Sequence, residues 1–182
     1  MHDPQASKLI ALFHHKWSPA ILAEMSRSGG ARGVVLRNRL GASPQAVSSA
    51  LTQLIELGLV TPNPGYGHPL RPEYVLTAEG QSAAASCARI TNVTHRLGAP
   101  ELAGYKWPLP ILWALGSEHL RFREIARQVP PITDRALSQS LTLLTDAHLV
   151  SASLLEVRPP ASVYGPTRRA KALVEALGEL AA

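Results

Sequence analysis

A chain of 182 residues, 46% hydrophobic and 17% charged, can bury one large core or two small ones, and it holds no apolar run near the roughly 18 residues that cross a membrane. One cysteine, Cys87, excludes an internal disulfide and a cysteine-built zinc site, and reads as a packed small hydrophobe with thiol sensing as the alternative. The net charge of +5 and pI of 9.8 suit a partner that carries phosphates, but many basic proteins bind none. The short apolar stretch near the N-terminus is interrupted by His14, His15 and Lys16, so it does not read as a secretory signal, and a cytoplasmic, nucleoid-associated protein is expected.

In chain order, the first predicted element is an apolar helix over 7–27 containing Lys16-Trp17, which ends near Ser28-Gly29-Gly30. A short amphipathic helix follows over 33–40, with Leu36 and Leu40 inward. A third helix over 43–57 has Ser43 as N-cap, Pro44 at its first position, a stripe of Val47, Leu51, Leu54 and Leu57, and Gly58 as a left-handed stop. Next comes a hairpin with TPNPGYGHPLRP as its loop and Tyr74-Val75-Leu76-Thr77 as its return, then a connecting helix over 78–97 and a break at 98–104.

From Lys106 the same order starts again, 90 positions on. Residues 43–60 align without a gap with 133–150, and seven of the eighteen positions are identical. An apolar helix is expected over 106–116 and a second helix over 122–129 with Ile125 and Val129 inward. The third helix begins at Thr133 with Asp134 beside its positive end, and is lined by Leu137, Leu141 and Leu144. His148 stands where the first repeat has Gly58. Gly165-Pro166 interrupts the return strand, so the second hairpin is expected to be shorter and looser, and a last helix is expected over 167–181. The pattern is mainly α with small β-hairpin wings (α+β): two tandem winged helix-turn-helix domains, 1–97 and 98–182.

The wording of the repeat resembles the HxlR family of transcription regulators. The first repeat carries Lys16-Trp17, Gly58-Leu59-Val60 and Tyr74-Val75-Leu76-Thr77-Ala78-Glu79-Gly80. The second carries Lys106-Trp107, Arg121-Phe122, Ile132-Thr133, Leu149-Val150 and Pro159-Pro160 before Val163-Tyr164. Departures are Arg32-Gly33 in place of Arg-Phe, the missing Leu-Thr-x-x-Gly return in the second repeat, and the lack of a cysteine before Lys16, which removes the family's usual thiol sensor. The resemblance implies a dimeric regulator of double-stranded DNA, here supplied by one chain as a pseudo-dimer. No cofactor is implied.

On that reading, the third helices reach bases with Ser43, Gln45, Ser48, Ser49 and Thr52, and with Thr133, Arg135, Ser138, Gln139 and Thr142. Arg32 and Arg121, with His68, Arg71 and Arg158 in the wings, contact phosphates. Trp17, Trp107 and Trp113 either pack in the core or line a ligand pocket, and a small-molecule effector and a homodimer stay open as partners. Adjacent His14 and His15 diverge by about 100° on a helix, a poor metal pair, and no nucleophile elbow, phosphate loop or paired carboxylates support an enzyme. The alternative function is a winged-helix scaffold that binds a small molecule or a partner protein without reading DNA.

Overall fold

The computed structural model describes residues 4–63, 73–155 and 161–182. The stretch expected as one helix over 7–27 is two, α1 (Pro4–Phe13) and α2 (Ser18–Met25). Pro19 forces the division, because its ring would collide with the carbonyl four residues back and it has no N–H to continue the ladder. The intervening turn is closed by the His14 N–H on the Ala11 carbonyl at 3.2 Å and the Ser18 N–H on that of His15 at 3.1 Å. Then follow β1 (Gly30–Arg32), α3 (Gly33–Leu40), α4 (Pro44–Glu56), β2 (Val60–Asn63), β3 (Glu73–Leu76) and α5 (Ala78–Arg96). A 3₁₀ turn, Pro100–Gly104, leads to α6 (Pro108–Leu115), β4 (Leu120–Arg121), α7 (Phe122–Gln128), α8 (Asp134–Asp146), β5 (Val150–Leu155), β6 (Ala161–Pro166), a second 3₁₀ turn at Arg168–Ala170 and α9 (Lys171–Ala181).

Strands β1 and β4 were not legible as strands, being three and two residues long, yet each completes an antiparallel sheet. The two sheets have corresponding strand orders, β1-β3-β2 and β4-β6-β5. Val60 faces Leu76 as Val150 faces Pro166, the same register 90 positions on. Ala31 faces Tyr74 as Leu120 faces Tyr164, which makes the offset 89 at this strand. An extra residue in the Val129–Ile132 connection restores 90 by the time Thr133 caps α8 as Ser43 caps α4.

The second hairpin corrects the expectation of a shorter, looser wing: β5 and β6 pair over six residues, Val150–Leu155 against Ala161–Pro166. Pro166 is tolerated because it takes the last position of its strand, where its missing N–H interrupts nothing further along. Gly165 lies under the His119 ring, and a Cβ there would come within 2.3 Å of it.

One cluster of buried residues runs through both repeats, including Leu9 and Phe13 of α1, Ile21 and Leu22 of α2, Ile90 of α5, Ile111 and Leu112 of α6, and Leu177 of α9. Helix α5 packs across α9, and α1 packs against both α6 and α9. At the crossing of α5 and α9, the Arg89 guanidinium is paired with Glu179 and lies 3.5 Å from a Glu175 oxygen. Residues 89 and 179 hold the same position in the two repeats. Each buried Leu or Ile stabilises by about 1.5–3 kcal/mol, whereas an exposed ion pair adds at most about 1 kcal/mol. Apolar packing therefore holds these helices together, and the ion pair selects which surfaces meet.

The starts of α5 and α9 differ for a steric reason. The Thr77 hydroxyl accepts the Gly80 N–H at 2.9 Å and donates to the Gly58 carbonyl at 2.8 Å, so the chain passes so close that a Cβ on Gly80 would lie 1.8 Å from the Leu59 oxygen. The same position in the second repeat is Ala170, and there the first turn is 3₁₀, with the Ala170 N–H on the Thr167 carbonyl at 3.0 Å. Gly80→Ala is expected to lower stability by roughly 1–3 kcal/mol, read from the urea midpoint. An unchanged midpoint would show that the first turn of α5 opens as freely as that before α9.

Candidate nucleic-acid interface

Helix α4 is held by one face and free on the other. The Ser43 hydroxyl accepts the Ala46 N–H at 3.2 Å, Pro44 presets the first helical position, and Val47, Ala50, Leu51 and Leu54 are buried. Gln45, Ser48 and Thr52 are exposed, and Ser49 is half-buried, with the Gln45 amide 3.5 Å from its hydroxyl. Helix α8 repeats the arrangement: Thr133 accepts the Ala136 N–H at 3.2 Å, and Leu137, Ser140, Leu141 and Leu144 are buried. Its exposed face carries Arg135, Ser138, Gln139 and Thr142, with the Thr142 hydroxyl donating to the Ser138 carbonyl at 3.1 Å. Both helices end through a left-handed residue, Gly58 at φ 71° and His148 at φ 57°, so the histidine adopts the conformation that glycine adopts in the first repeat.

Arg32 and Arg121 are the N-cap residues of α3 and α7, and both side chains are exposed. The Arg121 N–H donates to the Glu124 carboxylate at 2.7 Å, which satisfies one of the free donors at that helix start. His68, Arg71 and Arg158 lie outside the described residues. Among the other basic residues of α3, Arg39 is engaged by Glu24, and Arg37 donates to Asn38 at 3.3 Å.

Trp17, Trp107 and Trp113 are all half-buried against the core. Trp17 and Trp107 stand at the starts of α2 and α6, each beneath its neighbouring lysine, with the Lys16 ammonium 5.2 Å and the Lys106 ammonium 4.6 Å from the ring centre. Each also borders a cleft, of about 400 Å³ at Trp17 and about 590 Å³ at Trp107. His14 and His15 sit in the turn after α1, their rings edge to face at 5.3 Å. Lys106, a little burial and His15 hold the His14 pKa below its ordinary value. The sequence reads these two histidines as surface or packing residues on a helix; they lie instead in a turn, and nothing in the local pattern brings the Lys106 charge to bear on His14. Among the described residues no three His, Cys, Asp or Glu side chains gather where a metal ion would sit.

The HxlR-like helix-turn-helix family matches residues 102–182. An uncharacterized helix-turn-helix-type transcriptional regulator of Methanothermobacter thermautotrophicus is 34% identical over 77 residues, 42% of this chain and 59% of that protein. The Fusobacterium mortiferum protein named MalR is 36% identical over 75 residues, 41% of this chain and 71% of that one. An uncharacterized helix-turn-helix-type transcriptional regulator of Halalkalibacterium halodurans is 35% identical over 80 residues, 43% of this chain and 71% of that protein. The chain belongs to the HxlR-like helix-turn-helix family. It spans little more than half the length of the first of these relatives. The family match lies on the repeat that keeps Arg121-Phe122; the first repeat has Gly33 in place of the phenylalanine.

Cys87 is buried in α5, and that burial pushes its thiol up to about 12. The thiol is therefore protonated at neutral pH, and the thiolate that redox sensing needs is scarce. In the native chain Cys87 is expected to resist a chromogenic disulfide reagent at about pH 8 and to react fully in denaturant. Rapid reaction of the folded chain would restore thiol sensing as a reading for this HxlR-like protein.

Proposed function

We propose that the chain is a sequence-specific DNA-binding transcriptional regulator that acts as a single-chain pseudo-dimer, the product of a tandem duplication into units 1–97 and 98–182. The observation that carries this reading is the pairing of one repeat position with its own counterpart, Arg89 with Glu179, between helices that end the two repeats. Such self-facing contacts mark a two-fold interface. Two first repeats from different chains would set Arg89 against Arg89, and two second repeats Glu179 against Glu179, so the charges favour pairing within the chain over a homodimer.

In this arrangement α4 and α8 enter successive major grooves about 34 Å apart. Gln45 reads adenine and Arg135 guanine in unlike half-sites, while Ser43, Ser48, Ser49, Thr52, Thr133, Ser138, Gln139 and Thr142 reach bases or adjoining phosphates. Arg32 and Arg121 hold the backbone, with His68, Arg71 and Arg158 of the wings. The relatives named as transcriptional regulators support the regulator part of this reading; the place of action it implies is the cytoplasm, on nucleoid DNA.

One asymmetry favours a second reading, a small-molecule effector site in the second repeat. In the first repeat Ser18 donates to the Gln53 side chain and Gln53 donates to the Ala11 carbonyl, a polar latch between α1, α2 and α4. The counterparts of Ser18 and Gln53 are Pro108 and Leu143, which border the cleft of about 590 Å³ together with Tyr105 and Trp107. An apolar ligand would sit there against α8.

Selection from a random duplex pool is expected to return two unlike half-sites about one turn apart. Gln45→Ala and Arg135→Ala should each cost about 1–3 kcal/mol and relax only its own half-site. A pool without enrichment, alongside ligand binding that shows no salt dependence, would establish the effector-binding scaffold instead.

A further inference from the structure

We infer that His14, His15, Lys16 and Lys106 form a central phosphate-binding patch that grips the backbone of the DNA spacer between the two half-sites. The inference rests on the single-chain reader proposed above and adds a contact region that neither recognition helix contains.

The place of the patch follows from reciprocal contacts. Lys16 and Lys106 occupy the same repeat position, as do His14 and Gly104. The Lys16 stem lies against Gly104, where a Cβ would be 3.5 Å from its Cγ and Cε, while Lys106 is the charge that acts most strongly on His14. Lys16 thus lies against the counterpart of the residue on which the Lys106 charge acts, which fits a two-fold axis passing between the segments 14–16 and 104–106. Packing of α1 against α6 is consistent with that crossing.

The patch is also joined to the reading surface. The cleft that holds Lys106, Trp107 and Tyr105 extends to Gln139 and Thr142 on the exposed face of α8. Tyr105, 46% exposed, borders this cleft and also the one that holds Lys16, Trp17 and Leu40. Tyr105 therefore stands between the cleft beside α8 and the cleft at the start of α2. With recognition helices in successive grooves, the duplex under the axis is the spacer, where the protein meets phosphates rather than base edges in the major groove.

Charge completes the case. Among the described residues none of these four side chains forms an ion pair, and the acid bordering the two clefts is Glu101, in the one at Lys16. Lys16 and Lys106, each without a paired acid, repel each other, and an anion placed over them relieves that repulsion. Trp17 and Trp107 beneath the ammonium groups restrict the lysines to the junction, so less side-chain freedom is lost when phosphate is bound. At neutral pH the lysines carry most of the charge, because Lys106 holds the His14 pKa down.

The test is titration of the selected duplex at several salt concentrations with wild type, the double variant Lys16→Gln with Lys106→Gln, and the double variant Lys16→Arg with Lys106→Arg. A second duplex carries neutral methylphosphonate linkages in the spacer. The glutamine variant is expected to flatten the slope of log affinity against log salt by about 2 and to bind roughly 10- to 100-fold more weakly at about 0.1 M salt, with half-site preference unchanged. Arginine should restore the slope, and the neutral spacer should weaken wild type but leave the glutamine variant as it was. An unchanged slope in a wild-type protein that still reads both half-sites would overturn the patch and leave the reader standing. Absence of any sequence-specific binding by wild type would overturn both. A loss in the glutamine variant that the neutral spacer does not reproduce would place the lysines in the fold, not on DNA. Calorimetric binding of inorganic pyrophosphate that the glutamine variant loses, with its DNA slope intact, would assign the patch to a free anion and also overturn the proposal.

Discussion

The packing of α5 across α9, with α1 laid against α6 and α9, is the constraint on which the rest of the molecule depends. It joins the apolar faces of two similar units into one buried cluster, and it sets the positions of α4 and α8 relative to each other. If those crossing helices separated, large apolar side chains such as Leu9, Ile90 and Leu177 would return to water at about 1.5–3 kcal/mol each. The geometry of the two exposed helices is therefore tied to the stability of the whole chain.

Local chemistry then fixes each of those helices within its unit. A hydroxyl cap at the start, a buried leucine stripe along one side and a left-handed residue at the exit leave α4 and α8 little rotational freedom. The exposed residues are consequently the ones the packing does not claim: Gln45, Ser48 and Thr52 on α4, and Arg135, Ser138, Gln139 and Thr142 on α8. For recognition of a rigid duplex such prior fixing matters, because side-chain and backbone freedom lost on binding subtracts from affinity.

The two repeats also differ at positions where one chain permits it. Arg89 and Glu179, Gly80 and Ala170, Ser18 and Pro108, and Gln53 and Leu143 are four pairs in which equal positions carry unlike residues. Identical subunits of a homodimer cannot differ in this way, since a substitution made once appears on both sides of the axis. Under the proposed function, that freedom is what allows unlike half-sites and a polar latch in the first unit where the second has Pro108 and Leu143.

The sequence by itself determined the capped third helices, the left-handed exits and the hydrophobic stripes, because each of these depends on residues within a few positions of one another. Lys106 beside His14, Arg89 against Glu179 and the continuous core were decided only by the tertiary structure, since each joins residues about 90 positions apart. Strands β1 and β4 were hidden for a related reason, as two or three residues have no period to read and become strands only by pairing with β3 and β6. Gly165-Pro166 looked like damage to a strand when read locally; the sheet places the proline at the strand's last position and sets the His119 ring over the glycine. Short-range preferences write the elements, and long-range packing decides which of their surfaces meet and which remain open to a partner.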